Sequence, residues 1–270
     1  MAIHYEQLDG HVARITIDRP EARNSMDLYH FRDLANAWRR FRDDEDDWVA
    51  VVTGVEGNFM SGADLKTYIP QITELQKQIA SGDVDEIDGC KLSDATDAVL
   101  RSLKLYKPII AAVDGPCVAG GMEMLGGADL RIATERSVFG VMEPKRGLFA
   151  GGGTTVRLPR QIPFPAAMEF LLTAEAFPAR RALELGLLNE IVEPDQLHER
   201  ALDWARRITV NAPMAVQATK ESVLRGLAAG TLKEAFGIEN EMSVRVFSSE
   251  DAKEGPKAFA EKRDPVWKGR

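Results

Sequence analysis

The spacing of apolar residues predicts a strand followed by a helix near the start of the chain. Residues 11–18 (HVARITID) alternate between apolar and polar positions, as half-buried strands do. From Leu28 to Phe41, apolar residues recur every three or four positions, which predicts an amphipathic helix. Ser25 or Asp27 is expected to cap this helix, because a short side-chain oxygen can accept a free backbone N–H of its first turn.

Two later strands are each predicted to run into a glycine-rich turn. Residues 48–54 (WVAVVTG) lead into the loop 57–65 (GNFMSGADL). Residues 109–115 (IIAAVDG) lead into a second glycine turn, and a helix is expected from about residue 120. Further short strands are predicted within 129–140 and at 188–192. The repeated order of strand, glycine loop and helix indicates an α/β fold.

The last quarter of the chain has helical spacing almost to its end. We therefore predict an α/β core over residues 1–193 and a helical region over 194–270. Residues 67–93 have weak periodicity and several turn formers. They are expected to form a helix, a mobile loop and then a second helix that starts near Ser93.

Composition excludes several classes of protein. With 270 residues, of which 44% are hydrophobic, the chain can bury a core in one large domain or two small ones. Its formal net charge of -8 argues against nucleic-acid binding, although a local cluster of cations can still bind phosphates. Cys90 and Cys117 form no CxxC pair, and the four histidines complete no zinc set, so neither a disulfide framework nor a metal site is expected.

The sequence also bears on the compartment. Two unpaired cysteines fit a reducing cytoplasm. The first ten residues contain no basic segment followed by an apolar one, and no apolar run of about 18 residues follows. Neither export nor a membrane-spanning segment is expected.

Three glycine-containing segments place small residues where backbone N–H groups can approach a ligand. They are 57–65, 111–125 (AAVDGPCVAGGMEML) and 141–155 (VMEPKRGLFAGGGTT), and the last two each carry a glutamate. In this order and spacing they resemble the enoyl-CoA hydratase/isomerase family, also called the crotonase family. The resemblance covers nearly the whole chain, from 15–27 (ITIDRPEARNSMD) to 254–269 (EGPKAFAEKRDPVWKG).

Glycine loops ahead of helices also bind phosphates, but the residues here do not match those motifs. Gly57 and Gly62 have the spacing of a P-loop, yet Ala63 and Asp64 stand where Lys and Ser or Thr are needed. No G-x-G-x-x-G sequence opens a helix. An isolated glycine pair most often forms only a tight turn, so the ligand site rests on the three segments together.

The resemblance implies an oxyanion hole and two catalytic carboxylates. The backbone amides of Ala63 and Gly120 align with those that hold the thioester carbonyl, where small residues let two N–H donors converge on one oxygen. Gly120 also lies at a predicted helix start, where the dipole adds positive potential. Glu123 and Glu143 match the two catalytic glutamates of family hydratases. Each alone would more often be a surface residue, but paired carboxylates in a dry pocket provide one acid and one base.

The resemblance also implies a binding path for coenzyme A. The corresponding residues of this chain are Arg23, Ala63, Asp64, Leu65, Lys66, Gly120, Phe259 and Lys262. Phe259 and Lys262 are expected to approach the coenzyme A of a neighbouring subunit. Two alternatives stay open, since Asp64 can cap a helix instead and residues 250–263 also fit a solvated helix with opposite charges at i,i+4.

The implied activity is that of an enoyl-CoA hydratase in acyl-CoA metabolism such as fatty-acid β-oxidation. Water adds in syn fashion to a trans-2-enoyl-CoA, and no metal or redox cofactor takes part, since coenzyme A belongs to the substrate. Isomerisation or dehydration through the same enolate, and acyl-CoA binding without catalysis, remain alternatives. Which glutamate is the acid and which the base is left open.

The implied fold is a spiral of ββα units with a C-terminal helical region that forms trimers, often stacked into hexamers. Apolar positions between Ala235 and Phe247 form a wide stripe in this region. Burial against the core explains such a stripe equally well. The resemblance favours contact with another subunit.

The chain departs from the usual family pattern in three places. Ala119 replaces the first glycine of a GGG run, and the glycine loop at 150–155 differs in order. Both changes look harmless. Residues 144–146 (PKR) follow Glu143 where apolar residues are frequent. Together with the long segment 67–93, they predict that crotonyl-CoA is not the best substrate.

Overall fold

The computed structural model describes residues 2–82 and 85–270. The strands in these residues are β1 (Ile3–Leu8), β2 (Val12–Ile17), β3 (Val49–Gly54), β4 (Ile109–Val113), β5 (Pro116–Val118), β6 (Leu130–Thr134), β7 (Val138–Gly140), β8 (Phe177–Pro178) and β9 (Glu190–Val192). The helices are α1 (Leu28–Asp43), α2 (Tyr68–Ala80), α3 (Asp94–Ala98), α4 (Gly120–Leu125), α5 (Thr154–Gln161), α6 (Phe164–Thr173), α7 (Ala179–Glu184), α8 (Leu197–Thr209), α9 (Pro213–Ala228), α10 (Leu232–Phe247) and α11 (Asp251–Glu261). Short 3-10 helices occur at Pro20–Ala22 and Glu143–Arg146.

A large, mostly parallel sheet forms the centre of the fold. Its strand order is β1-β2-β3-β4-β6-β9, with β1 antiparallel to β2 and the other neighbours parallel. A smaller sheet has the order β5-β7-β8. Because β4 and β5 are separated only by Asp114 and Gly115, the chain passes directly from one sheet to the other.

Helices cover both faces of the large sheet. Side chains of α1, among them Leu34 and Trp38, join Ile15 and Val52 in the main hydrophobic core. On the opposite face, Val51 and its neighbours pack against α8. A sheet covered in this way requires strands that are apolar on both faces, which is why β3 and β4 appear in the sequence as continuous apolar runs.

Most of the predicted elements are confirmed. The strands expected at 11–18, 48–54, 109–115, 129–140 and 188–192 are present, and so are the helices from Leu28, from about 120 and beyond 194. Asp27, rather than Ser25, caps α1 by accepting the N–H of His30 at 3.0 Å. Sequence periodicity did not identify β1, β5 and β8, nor helices α5 to α7.

The segment 67–93 contains the predicted helix α2, and the second helix begins at Asp94. Residues 83 and 84, within the predicted mobile loop, lie outside the described residues. The division of the chain at residues 193 and 194 stays a prediction, although every strand precedes it in the described part of the chain. No helix of that part is both long enough and apolar enough to cross a membrane.

Candidate active site

The two predicted glycine loops meet at one edge of the large sheet. Strands β3 and β4 are parallel neighbours, so their carboxyl ends deliver both loops to the same place. Met60 then pairs with Cys117 of β5, with Val118 donating its N–H to the Met60 carbonyl at 3.0 Å. The backbone of residues 60–63 therefore lies against the start of α4.

This contact needs glycine on both sides. A Cβ added to Gly62 would lie 2.7 Å from the Cβ of Ala119 and 3.0 Å from the backbone nitrogen of Gly120. A Cβ on Gly120 would lie 3.2 Å from the Gly62 Cα. Among the described residues, no protein acceptor takes the N–H of Ala63 or of Gly120. Two unpaired donors thus lie in adjoining loops, one of them at the positive end of α4.

Ala119 has an unusual backbone conformation for a residue with a side chain. Its φ is 49° and its ψ is -118°, in a region that favours glycine. Its N–H donates to the Gly140 carbonyl at 2.9 Å, and its carbonyl accepts the N–H of Glu123 at 3.0 Å. The replacement of the family glycine by alanine, which the sequence alone suggested was harmless, therefore stores backbone strain at the start of α4.

A cavity of about 520 Å³ opens beside the two loops. Its lining combines the glycine loops, both glutamates and a wall of mainly apolar side chains. The lining residues are Phe31, Ser61, Ala63, Leu65, Tyr68, Ile69, Ala95, Thr96, Val99, Val118, Ala119, Gly120, Glu123, Met142, Glu143, Arg146, Leu148, Phe149, Gly151 and Gly152. The site thus gathers elements that are far apart in the sequence.

Glu123 is fixed in the first turn of α4 with its carboxylate in the cavity. The N–H of Gly152 donates to Glu123 Oε1. A Cβ on Gly152 would lie 2.2 Å from Glu123 Oε2, so any larger residue at this position would displace the Glu123 carboxyl. Burial raises the pKa of Glu123, while the Gly152 hydrogen bond and the charges of Arg101 and Arg157 oppose that rise.

Glu143 begins the short 3-10 helix that follows β7. Burial raises its pKa to about 7, and the nearby negative charge of Glu123 adds to the rise. Its Oε2 atom is buried and has no hydrogen-bond partner among the described residues. A buried, unpaired carboxyl oxygen in a cavity is available to a ligand.

Two residues that the sequence reasoning missed also contribute to the site. Arg157 of α5 donates to the carbonyls of Val99, Leu100 and Glu123. It therefore joins α5 to α4 and to the residues that follow α3. Burial, together with the charge of Glu123, raises the pKa of Tyr68 to about 12. A basic residue after the glycine run was the only sequence signal for Arg157.

Comparison with known proteins identifies the family of this site. The sequence profile described as Enoyl-CoA hydratase/isomerase matches residues 7–270. The chain belongs to this family. It is 41% identical over 261 residues to the enoyl-CoA hydratase EchA19 of Mycobacterium tuberculosis, a match that covers 97% of this chain and 94% of the relative.

Other family members are similar over equally long regions. The (E)-benzylidenesuccinyl-CoA hydratase of Thauera aromatica is 39% identical over 264 residues, covering 97% of this chain and 98% of the relative. The crystal structure of an enoyl-CoA hydratase from Mycobacterium tuberculosis superposes with a TM-score of 0.85 at 39% identity, covering 100% of this chain and 99% of that chain. The predicted crotonase-type α/β fold is thereby confirmed.

The structure brings together only some of the residues predicted for this family site. Ala63, Gly120, Glu123 and Glu143 line one cavity, and so does Leu65. Their chemical roles stay predictions.

The other predicted coenzyme A contacts do not line the cavity of this chain. The Asp64 carboxylate instead accepts the N–H of Lys66 and pairs with Arg19 at 3.2 Å. The helix that follows has Thr67 as its N-cap and no side-chain cap, so the alternative that Asp64 caps a helix is wrong for α2. Arg23 and Lys66 are exposed. Phe259 is 87% exposed on α11, and Lys262 follows that helix.

Proposed function

We propose that this protein is an enoyl-CoA hydratase. It adds water in syn fashion across the double bond of a trans-2-enoyl-CoA and yields a 3-hydroxyacyl-CoA. The observation that carries the proposal is the shared cavity of two glutamate carboxyls, Glu123 and Glu143, beside the amides of Ala63 and Gly120, which no acceptor in residues 2–82 and 85–270 takes. Membership of the family and 41% identity to a hydratase support it.

In this mechanism the thioester oxygen lies between the two amides. The oxygen of water bonds to C3 while one water proton passes to a glutamate. The electron pair of the C2=C3 bond moves towards the thioester, which becomes an enolate held by the amides. The second glutamate then gives its proton to C2 as the enolate collapses. Each N–H donor contributes about 10² to 10³ in rate, and each acid or base about 10² to 10⁴.

The electrostatics favour one assignment of the two glutamates. With a pKa of about 7, Glu143 keeps its proton in a large fraction of molecules at neutral pH, which suits the acid that protonates C2. Burial raises the pKa of Glu123 too, but the Gly152 N–H and the charges of Arg101 and Arg157 oppose that rise and favour the charged form. We therefore assign Glu123 as the base. After product release, the proton on Glu123 returns to Glu143 through solvent.

We also propose that the protein forms a homotrimer or homohexamer through its helical region. Several large apolar side chains of α9, α10 and α11 are exposed in a single chain, and contiguous exposed apolar surface marks interfaces. They are Val223, Leu224, Leu227, Leu232, Phe236, Val244, Phe247 and Phe259. In such an assembly Phe259 and Lys262 can approach the coenzyme A bound to another copy.

Two further proposals complete this assignment. The chemistry is acid-base catalysis on a coenzyme A ester, so it calls for no metal or redox cofactor. A reducing, cytoplasmic location is supported by Cys90 and Cys117, which are free thiols buried in separate clusters.

The direct test is a hydration assay over a panel of enoyl-CoA esters. Loss of the conjugated thioester absorbance measures hydration, and we expect turnover that is faster on a longer or bulkier ester than on crotonyl-CoA. Conversion of 3-enoyl-CoA to 2-enoyl-CoA without hydration would favour an isomerase. Tight binding of these esters with no turnover would favour a non-catalytic acyl-CoA-binding protein.

A further inference from the structure

Arg146 introduces a positive charge into an otherwise mainly apolar wall. Among the described lining residues of the cavity it is the only cationic side chain. Leu148 and Phe149 line the cavity next to it, and all three residues are exposed.

The 3-10 helix places this charge on the side of the reacting centre. Glu143 is the first and Arg146 the last residue of that helix. Side chains three residues apart lie on the same side of a 3-10 helix, separated by about 6 Å along its axis. Both side chains therefore face the cavity, and Arg146 lies one turn beyond the glutamate that flanks the reacting double bond.

The guanidinium of Arg146 has little to bind within the protein. Among the described residues, its one hydrogen bond is to the carbonyl of Lys145 at the long distance of 3.5 Å. Within residues 2–82 and 85–270, no carboxylate forms an ion pair with it, whereas arginines such as Arg225 and Arg263 each hold two carboxylates. Glu143 does not serve as its partner either, because its Oε2 atom has no hydrogen-bond partner among the described residues.

We propose that the acyl group of the natural substrate carries a carboxylate, and that Arg146 binds it. Arginine suits this role because its planar fork can donate two parallel hydrogen bonds to one carboxylate. The proposal rests on the proposed hydratase function and names the class of substrate, a 2-enoyl-CoA whose acyl chain bears a second, free carboxyl group. Leu148 and Phe149 then contact the methylene groups between the two ends.

Matched pairs of esters test this specificity. Glutaconyl-CoA and pent-2-enoyl-CoA have acyl chains of equal length and differ mainly in the terminal carboxylate. We expect the natural protein to hydrate glutaconyl-CoA with the higher kcat/KM. The preference is the kcat/KM for glutaconyl-CoA divided by that for pent-2-enoyl-CoA. Arg146→Leu should lower this preference by at least about tenfold, mainly by raising KM for glutaconyl-CoA, because one charge-assisted contact is lost.

Two further variants separate the role of Arg146 from general charge effects. Arg146→Lys keeps the charge and should retain part of the preference. Lys145→Leu removes a neighbouring cation that does not line the cavity, and should leave the preference unchanged. An unchanged ratio in Arg146→Leu, or an equal loss in Lys145→Leu, would overturn the proposal.

A binding measurement makes this test independent of turnover. Calorimetry with the saturated esters glutaryl-CoA and pentanoyl-CoA needs no hydration, and free coenzyme A gives the reference. A preference for glutaryl-CoA that Arg146→Leu abolishes supports the recognition even if the hydratase assignment fails. If Arg146→Leu weakens free coenzyme A as much as glutaryl-CoA, the arginine binds a phosphate of the coenzyme, and the proposal is wrong.

Discussion

Replacing Glu143 by glutamine should make the folded protein more stable at neutral and alkaline pH while it removes the proposed acid. The reason is that a buried carboxyl whose Oε2 atom has no partner in the described part of the chain is costly to ionise. Its pKa is about 7 in the folded state, compared with an ordinary value of 4.5. Glutamine has nearly the same shape and no charge to lose.

The size and sign of the effect follow from this pKa. Because the folded pKa lies above the unfolded one, the folded state binds the extra proton and loses stability as pH rises from 4.5 to about 7. The full rise corresponds to about 3 kcal/mol. The carboxyl is only partly shielded from water, so we expect Glu143→Gln to unfold with a free energy about 1 to 3 kcal/mol higher than wild type. This difference should be complete above pH 7 and absent below pH 4.5.

Urea unfolding followed by tryptophan fluorescence measures this difference. Wild type and Glu143→Gln are compared at one protein concentration over a series of pH values, because oligomers change stability with concentration. Glu45→Gln is the matched control, since it removes one charge from an exposed position. A constant difference in unfolding free energy between wild type and Glu143→Gln across the pH range would refute the reasoning, and so would a stability gain at acidic pH.

Three other outcomes are expected. If Glu143 is the acid, kcat/KM for hydration should fall as pH rises through about 7, because the proton that the step needs is then lost; a pH-rate profile without this decline would contradict the assignment. Gly152→Ala should lower kcat about 10²-fold or more because its Cβ would overlap the Glu123 carboxyl, while Gly151→Ala, whose nearest added contact is 3.7 Å, should lower it far less. Lys262→Ala should raise KM with a modest effect on kcat; a monomer by sedimentation with normal activity would argue against the proposed assembly.

The sequence predicted the large sheet best where strands are buried on both faces. All five residues of β4 and the first four of β3 are buried, so their apolar runs are continuous and easily recognised. Strand β1 was missed because Ile3 is its only buried residue, as suits an edge strand. The two or three residues of β5 and β8 become strands only because partners lie beside them.

At the site, the sequence located both glutamates and both small residues through the family resemblance. It could not show which contacts hold them. The N–H of Gly152 donates to Glu123, 29 positions away in the sequence, and Asp64 accepts from Arg19, 45 positions away. Such contacts depend on how the loops fold, and neither a glycine run nor a lone acidic residue indicates in the sequence which residue it will contact.

The central claim is that Glu123 and Glu143 both act in proton transfer during hydration of an enoyl-CoA. The most direct test is the steady-state kinetics of Glu123→Gln and Glu143→Gln on the best ester of the panel, with affinity measured separately using a saturated acyl-CoA. We predict that each variant lowers kcat by about 10² or more while affinity changes little. Near-wild-type hydration by either variant would contradict the claim. If Glu143→Gln alone left kcat unchanged, an isomerase would become the better assignment.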